Sequence, residues 1–412
     1  MTAVGAAAGD DGGGGRVGEL DAFDVRGARG AGGLLHAFNH VGALAASDVH
    51  VALRLGRLGA EDDERVLLAA AFAVRAPRLG HVCTDLATIR DTVTVDLDVD
   101  VDLQALPWPH RGEWVDALSP SALVANGIDG PDERPLRLVG TRLYLDRYWR
   151  EERQIASDLR ARGGAVAPDV DLAVLAEGLS RLFDGPEPDH QRLAAAVAVL
   201  RRFAVVAGGP GTGKTTTVAR ILALVHDQAR AAGTPPPVVA LAAPTGKAAA
   251  RLEEAVHQEA AHIDVSPEVR QRLLAVSAST LHRLLGWRPG NRARFRHDRT
   301  NPLPHEVVVV DETSMVSLSL MARLVEAVRP GARLVLVGDP EQLASVEAGA
   351  VLGDIVGSSA GQLLMSPPAR AALAEVSGHE VPASEPPPGA GVADGIVVLR
   401  HVHRYGGAIA EL

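Results

Sequence analysis

Eight consecutive residues, Gly208-Gly209-Pro210-Gly211-Thr212-Gly213-Lys214-Thr215, fit the spacing G-x-x-x-x-G-K-[ST], and Thr216 follows them. Glycines let successive backbone N–H groups point into one concavity, and a helix opening at the lysine adds its partial positive charge. Such a segment is suited to holding polyphosphate. In that chemistry Lys214 reaches the β- and γ-phosphates and Thr215 ligates Mg²⁺. Lysine occurs only at Lys214 and Lys247, although Lys and Arg together number 41. A planar guanidinium does not replace a compact ammonium, so both lysines falling in a Gly-Lys step is informative.

Three more polar clusters follow apolar runs: Ala243-Pro244-Thr245-Gly246-Lys247, Asp311-Glu312, and Gly338-Asp339-Pro340-Glu341-Gln342. With a phosphate loop upstream, Asp311 is expected to hold Mg²⁺ through water, Glu312 to polarise an attacking water, and Gln342 to sense the γ-phosphate. On its own an Asp-Glu pair is equally compatible with a helix N-cap.

The elements that must position these residues are short apolar runs without polar alternation: Phe203 to Ala207, Val238 to Ala243, Val307 to Val310 and Leu334 to Val337. They predict parallel strands covered by helices on both faces, an α/β architecture whose carboxyl edge gathers all four clusters. The composition agrees with a globular chain. Of 412 residues 47% are hydrophobic, the formal charge is −10, and 3% aromatic content with 43 glycines argues against a sandwich or barrel built on aromatic packing. No run approaches the roughly 18 apolar residues of a membrane span. The first residues, with Asp10 and Asp11 among alanine and glycine, do not read as an export signal, so a cytoplasmic location is expected. Cys83 is the single cysteine, which forbids an internal disulfide and is expected to be a buried thiol.

Residues 1–18 are expected to be disordered, and 19–150 to form a small N-terminal domain. That domain contains a helical pattern (Val66, Leu67, Ala70, Phe72, Val74) and a period-2 run from Val93 to Leu103. Asp96, Asp98, Asp100 and Asp102 lie on one face of that run, which is read as a solvated strand rather than a cation site. Residues 151–190 are expected to be a helical connector, 191–357 the ATPase-type domain, and 358–395 a Pro/Ala/Gly-rich linker or surface insertion.

Because the chain is acidic, contact with nucleic acid needs a local basic patch. Between Thr280 and Thr300, Arg283, Arg288, Arg292, Arg294, Arg296 and Arg299 face only Asp298, with Trp287 and Phe295 among them. The segment about 286–303 is either a projecting hairpin that contacts DNA phosphates and stacks on bases or a solvated arginine-rich loop.

Taken together, Gly208 to Thr217, Ala243 to Leu252, Ser279-Thr280-Leu281-His282-Arg283-Leu284-Leu285-Gly286, Val308 to Met315 and Gly338 to Gly349 resemble the RecD family. That family comprises alpha chains of the RecBCD (exonuclease V) complex, superfamily 1B helicases that move 5′ to 3′ on single-stranded DNA. The resemblance implies a P-loop NTPase of RecA-like fold using ATP and Mg²⁺, with Gln191 reading adenine and Thr245, Lys247, Thr280 and His282 gripping the DNA backbone. Arg404, in Leu399-Arg400-His401-Val402-His403-Arg404-Tyr405, would stabilise γ-phosphate charge from a second RecA-like domain. Residues 396–412 are expected to open that domain, which the sequence then leaves incomplete. Gly80-His81-Val82-Cys83 and Leu143 to Trp149 resemble the RecD end that docks on RecC. The implied function is a DNA helicase subunit in double-strand break repair and recombination, acting on DNA ends beside RecB-like and RecC-like subunits. Cleavage would belong to the RecB-like partner. The rivals are a stand-alone RecD-like helicase and a non-translocating ATP-binding assembly or regulatory subunit.

Overall fold

The computed structural model describes residues 27–95, 102–164, 167, 170–183, 189–287, 295–342, 348–349 and 351–401. The chain divides into two compact units: one takes residues up to Arg75 and Thr84–Leu143, the other Ala76–Cys83 and Tyr144 onward. The expected tail 1–18 lies outside the described residues.

Aromatic side chains are scarce in the sequence, and Phe38, Phe72, Trp108 and Trp114 cluster in the N-terminal unit. Phe72 stacks on Trp108 at 5.6 Å between ring centroids, and Phe38 meets Trp108 edge-on at 4.5 Å. Trp114 is buried beside them and donates its indole N–H to the Arg65 carbonyl at 2.8 Å, so its polar atom is satisfied. Strands β1 (Cys83–Asp85), β2 (Val124–Asn126), β3 (Leu136–Val139) and β4 (Arg142–Leu145) form a small sheet in the order β1-β4-β3-β2. The period-2 run from Val93 does not give the expected strand where it is described. Val93 to Val95 carry no strand, and Leu103–Ala105 is a 3-10 turn. There Asp102 accepts the Gln104 amide at 3.0 Å, a local bond that competes with a strand ladder. Positions 96–101 lie outside the described residues. Cys83, expected to be buried, is half-buried.

The second unit is built on six strands: β5 (Phe203–Gly208), β6 (Val239–Ala243), β7 (Ala278–Thr280), β8 (Val307–Val310), β9 (Arg333–Gly338) and β10 (Ile396–Leu399). They run parallel in the order β10-β5-β9-β8-β6-β7. Alternation explains why the strands read as unbroken apolar runs. Val206, Val307, Val309, Val335 and Val337 enter one core layer, while Phe203, Val205, Val308, Val310 and Leu336 enter the layer on the opposite face. With both faces covered, successive positions of the inner strands are apolar.

Three segments differ from the sequence expectation where they are described. The proposed connector and linker are layers of this unit. Ile155 and Leu159 of the helix Asp146–Gly163 pack in one core, and Leu175 and Leu179 of Leu172–Leu182 in the other. The helix Pro367–Ser377 adds Ala369, Leu373 and Val376 to the latter. The expected opening strand of a second domain, β10, is instead the edge strand here, paired with β5 from Ile396↔Val205 to Leu399↔Gly208. Gly395 permits that approach, since a Cβ there would lie 2.5 Å from the Phe203 carbonyl oxygen. Among the described residues no helix is long and apolar enough to cross a membrane.

Candidate functional site

Where β5 ends, the chain turns through Gly208 to Gly213 into the helix Lys214–Ala231. Gly211 (φ +80°) and Gly213 (φ +81°) are left-handed, which no β-carbon tolerates cheaply. The loop is braced from within. The Thr212 hydroxyl donates to the Gly209 carbonyl at 2.9 Å, and the Thr217 hydroxyl to that of Gly213 at 3.0 Å. Gln191, on the first turn of the helix His190–Leu200, donates through Nε2 to the Thr212 carbonyl at 3.0 Å. A Cβ on Gly213 would lie 2.2 Å from that nitrogen, so glycine and glutamine fit as a pair.

Lys214 donates its ammonium to the carbonyls of Gly208 (2.6 Å) and Gly209 (2.9 Å). Burial pulls its pKa below the ordinary value, against the opposing pull of Asp339, Asp311 and Glu312. Asp311 shows the converse effect. Desolvation at the end of β8 pushes its pKa up to about 6, although the Glu312 N–H donates to its Oδ1 at 2.8 Å and Lys214 lies near. Glu312 adopts a left-handed φ of +52°, uncommon for a residue with a β-carbon and the kind of local strain that clusters at working sites. Thr313 and Ser314 then pass close to Gly338, where a Cβ would lie 3.1 Å and 3.3 Å from their backbone nitrogens. The Ser314 hydroxyl donates to Gln342 Oε1 at 3.4 Å.

One cavity of about 940 Å³ gathers these groups. Its wall includes Pro210, Gly211, Thr212, Gly213, Lys214, Thr215 and Thr216, together with Thr245, Lys247, Asp311, Glu312 and Gln342. Gly208 and Gly209 lie beneath it as acceptors for the lysine, and Gln191 braces it from the side. The same wall brings in Asp339, Arg251 and Met315, to which the sequence reading gave no role. A carboxylate just past a strand reads as turn chemistry, and only the sheet order brings it alongside the phosphate loop.

The donor set suits Mg²⁺. The Thr215 hydroxyl and the Asp311 carboxylate are hard oxygens on the same wall, and the desolvated carboxylate gains from a cation beside it. Among the described residues no group of three or more His, Cys, Asp or Glu is assembled for a metal. The other positions around Mg²⁺ would fall to phosphate oxygens and water, the usual arrangement for this ion.

The expected DNA contacts lie at the carboxyl ends of β6 and β7. Thr245 caps the helix Gly246–His262, accepting the Ala248 N–H at 3.2 Å, and Thr280 caps Leu281–Leu284, accepting the Arg283 N–H at 3.2 Å. Both threonines are therefore helix caps first, each with its hydroxyl proton still available to an acceptor. Thr280 and Arg283 line a groove of about 510 Å³ with Ser279, Glu253, Glu254 and His257. His282 is exposed and its ring lies 5.9 Å from that of Phe295, while Trp287 is 43% exposed. Arg299 pairs with Asp158 at 2.8 Å, which ties that arginine to the helix Asp146–Gly163. Arg288, Arg292, Arg294 and Arg404 lie outside the described residues.

A family model described as the N-terminal domain of RecBCD enzyme subunit RecD matches residues 40–144, and one described as an AAA domain matches residues 191–348. RecBCD enzyme subunit RecD of Mycobacterium tuberculosis (strain ATCC 25618 / H37Rv) is 56% identical over 331 residues, covering 79% of this chain and 53% of that protein. Its counterpart in Mycolicibacterium smegmatis is 54% identical over 327 residues, 78% of this chain and 54% of that protein. The ATP-dependent RecD2 DNA helicase of Deinococcus radiodurans is 37% identical over 212 residues, 50% of this chain and 25% of that protein. The chain spans about half the length of the RecD relatives it matches.

Proposed function

The chain belongs to the RecD family, and on that premise we propose that it is the ATP-hydrolysing subunit of a RecBCD-type exonuclease V complex. There it would move 5′ to 3′ on single-stranded DNA at broken ends, in the cytoplasm, beside RecB-like and RecC-like subunits. The observation that carries this reading is the convergence of four strand-end clusters on one cavity: the phosphate loop, Thr245 with Lys247, Asp311 with Glu312, and Asp339 with Gln342. Convergence of this kind lets one nucleotide be sensed by the segments that also reach DNA.

In this reading the backbone N–H groups of 209–214 receive the phosphates, and Lys214 leaves the Gly208 and Gly209 carbonyls for the β- and γ-phosphate oxygens. Gln191 faces the adenine side of the loop. Thr215 and Asp311 would hold Mg²⁺, which when bound supplies charge neutralisation for the phosphates. Glu312 orients the attacking water and accepts its proton, and Gln342 contacts the γ-phosphate. Since Gln342 is bonded to Ser314, a change at the phosphate reaches the segment after Glu312 directly. Thr245, Lys247, Thr280, His282 and Arg283 would carry the DNA backbone, with Trp287 and Phe295 offering stacking surfaces. Arg404 would add charge from a second motor domain.

The match of residues 40–144 to the RecD N-terminal domain favours a complex subunit over a stand-alone helicase. ATP hydrolysis measured with and without single-stranded DNA, in the presence of RecB-like and RecC-like subunits, tests the proposal. DNA should stimulate hydrolysis, and Lys214→Ala should abolish the contribution of this chain. Hydrolysis indifferent to both DNA and Lys214 would leave a non-catalytic assembly role instead.

A further inference from the structure

β5 and β9 are neighbours with Ala207 opposite Gly338, so the next residues, Gly208 and Asp339, come side by side at the carboxyl edge. Asp339 is only 8% exposed and lines the nucleotide cavity. Its Oδ1 accepts the Glu341 N–H at 3.1 Å and its carbonyl accepts the Gln342 N–H at 3.2 Å. One residue thus shapes the turn that presents Gln342. On its other side is the seat of Lys214, whose ammonium donates to the carbonyl of Gly208, the residue beside Asp339, and which lines the same cavity.

A third carboxylate beside a seat for a triphosphate is a liability for binding, because like charges in a desolvated cavity repel. Its placement makes sense if the charge aims the lysine. We infer that Asp339 is a positioning residue that joins Lys214 to the Gln342 turn, so that the ammonium and the amide approach the terminal phosphate together. The inference rests on the triphosphate reading of the same cavity and assigns a role to a residue that reading does not use.

Asp339→Asn in the full chain tests it, because asparagine keeps the oxygen that caps the Glu341 N–H and removes only the charge. Binding of a fluorescent ATP analogue with Mg²⁺ should tighten by about threefold or more, as expected from removing a nearby like charge. DNA-stimulated turnover should fall by about tenfold or more, and the thermal midpoint should hold. Asp339→Glu, which restores the charge on a longer arm, should return affinity toward wild type while turnover stays low. A merely structural role predicts weaker binding and a lower midpoint together, and that outcome overturns the inference. Unchanged affinity and turnover overturn it as well. Lys214→Ala separates this failure from that of the parent reading. If Lys214→Ala loses the nucleotide while Asp339→Asn behaves as wild type, only the role of Asp339 is lost. If the wild-type chain takes up no nucleotide, both fall.

Discussion

Replacing Asp311 with asparagine is expected to stabilise the chain in the absence of nucleotide while removing the proposed Mg²⁺-dependent chemistry. Burial lifts the Asp311 carboxyl from 3.8 to about 6. A carboxylate whose folded pKa is raised destabilises the fold wherever it is ionised in both states, which here means above about pH 6. Between about 6 and 3.8 the folded chain takes up a proton that the unfolded chain does not, and the cost fades. Below 3.8 both states are protonated and no cost remains. The full shift corresponds to about 3 kcal/mol, a sizeable share of a domain stability of roughly 5–15 kcal/mol. Asparagine retains an oxygen for the Glu312 N–H, so the turn is kept. Urea denaturation of wild type and Asp311→Asn at pH 8, 6 and 4.5 should show a stability gain near that size at pH 8. The gain should shrink steadily toward pH 4.5. A destabilised variant at pH 8, or a gain independent of pH, would refute the reasoning.

Substitutions at three further positions probe other parts of the structure. Gly213→Ala places a methyl 2.2 Å from Gln191 Nε2 at a left-handed φ, and should cost about 1–3 kcal/mol in thermal denaturation as well as nucleotide affinity. Val397→Ala removes buried volume from β10 and should destabilise the second unit by about 2 kcal/mol; a loss below a few tenths would argue against β10 lying in this sheet. Thr245→Ala should cost about 1 kcal/mol through the lost cap on Gly246–His262, and Thr245→Asn, which caps equally well, should restore stability without restoring DNA affinity if the hydroxyl contacts phosphate.

What the sequence disclosed and what it concealed follow from the range of each signal. The phosphate loop and the four buried strands are local patterns: glycines where positive φ is needed, and valines where both faces of a strand are covered. Membership of a sheet is not local. Ile396 to Leu399 is apolar in either reading, and only its register with β5 assigns it to the six-stranded sheet. Pro367 and Pro368 disguise the helix Pro367–Ser377 as a linker, although proline is well suited to a first helical turn. Asp339 was hidden for a related reason, since its neighbours in space come from a strand more than a hundred residues earlier in the chain. Thr245 and Thr280 were legible as polar strand-end residues, but their service as helix caps required the hydrogen bonds.

Calorimetric titration of the full chain with ATP and Mg²⁺, beside Lys214→Ala, tests the central claim most directly. The wild type should take up one nucleotide per chain saturably, and the variant should bind about tenfold or more weakly, as expected when a charged hydrogen-bond donor is lost. Equal uptake by the two proteins, or none by the wild type, would contradict it.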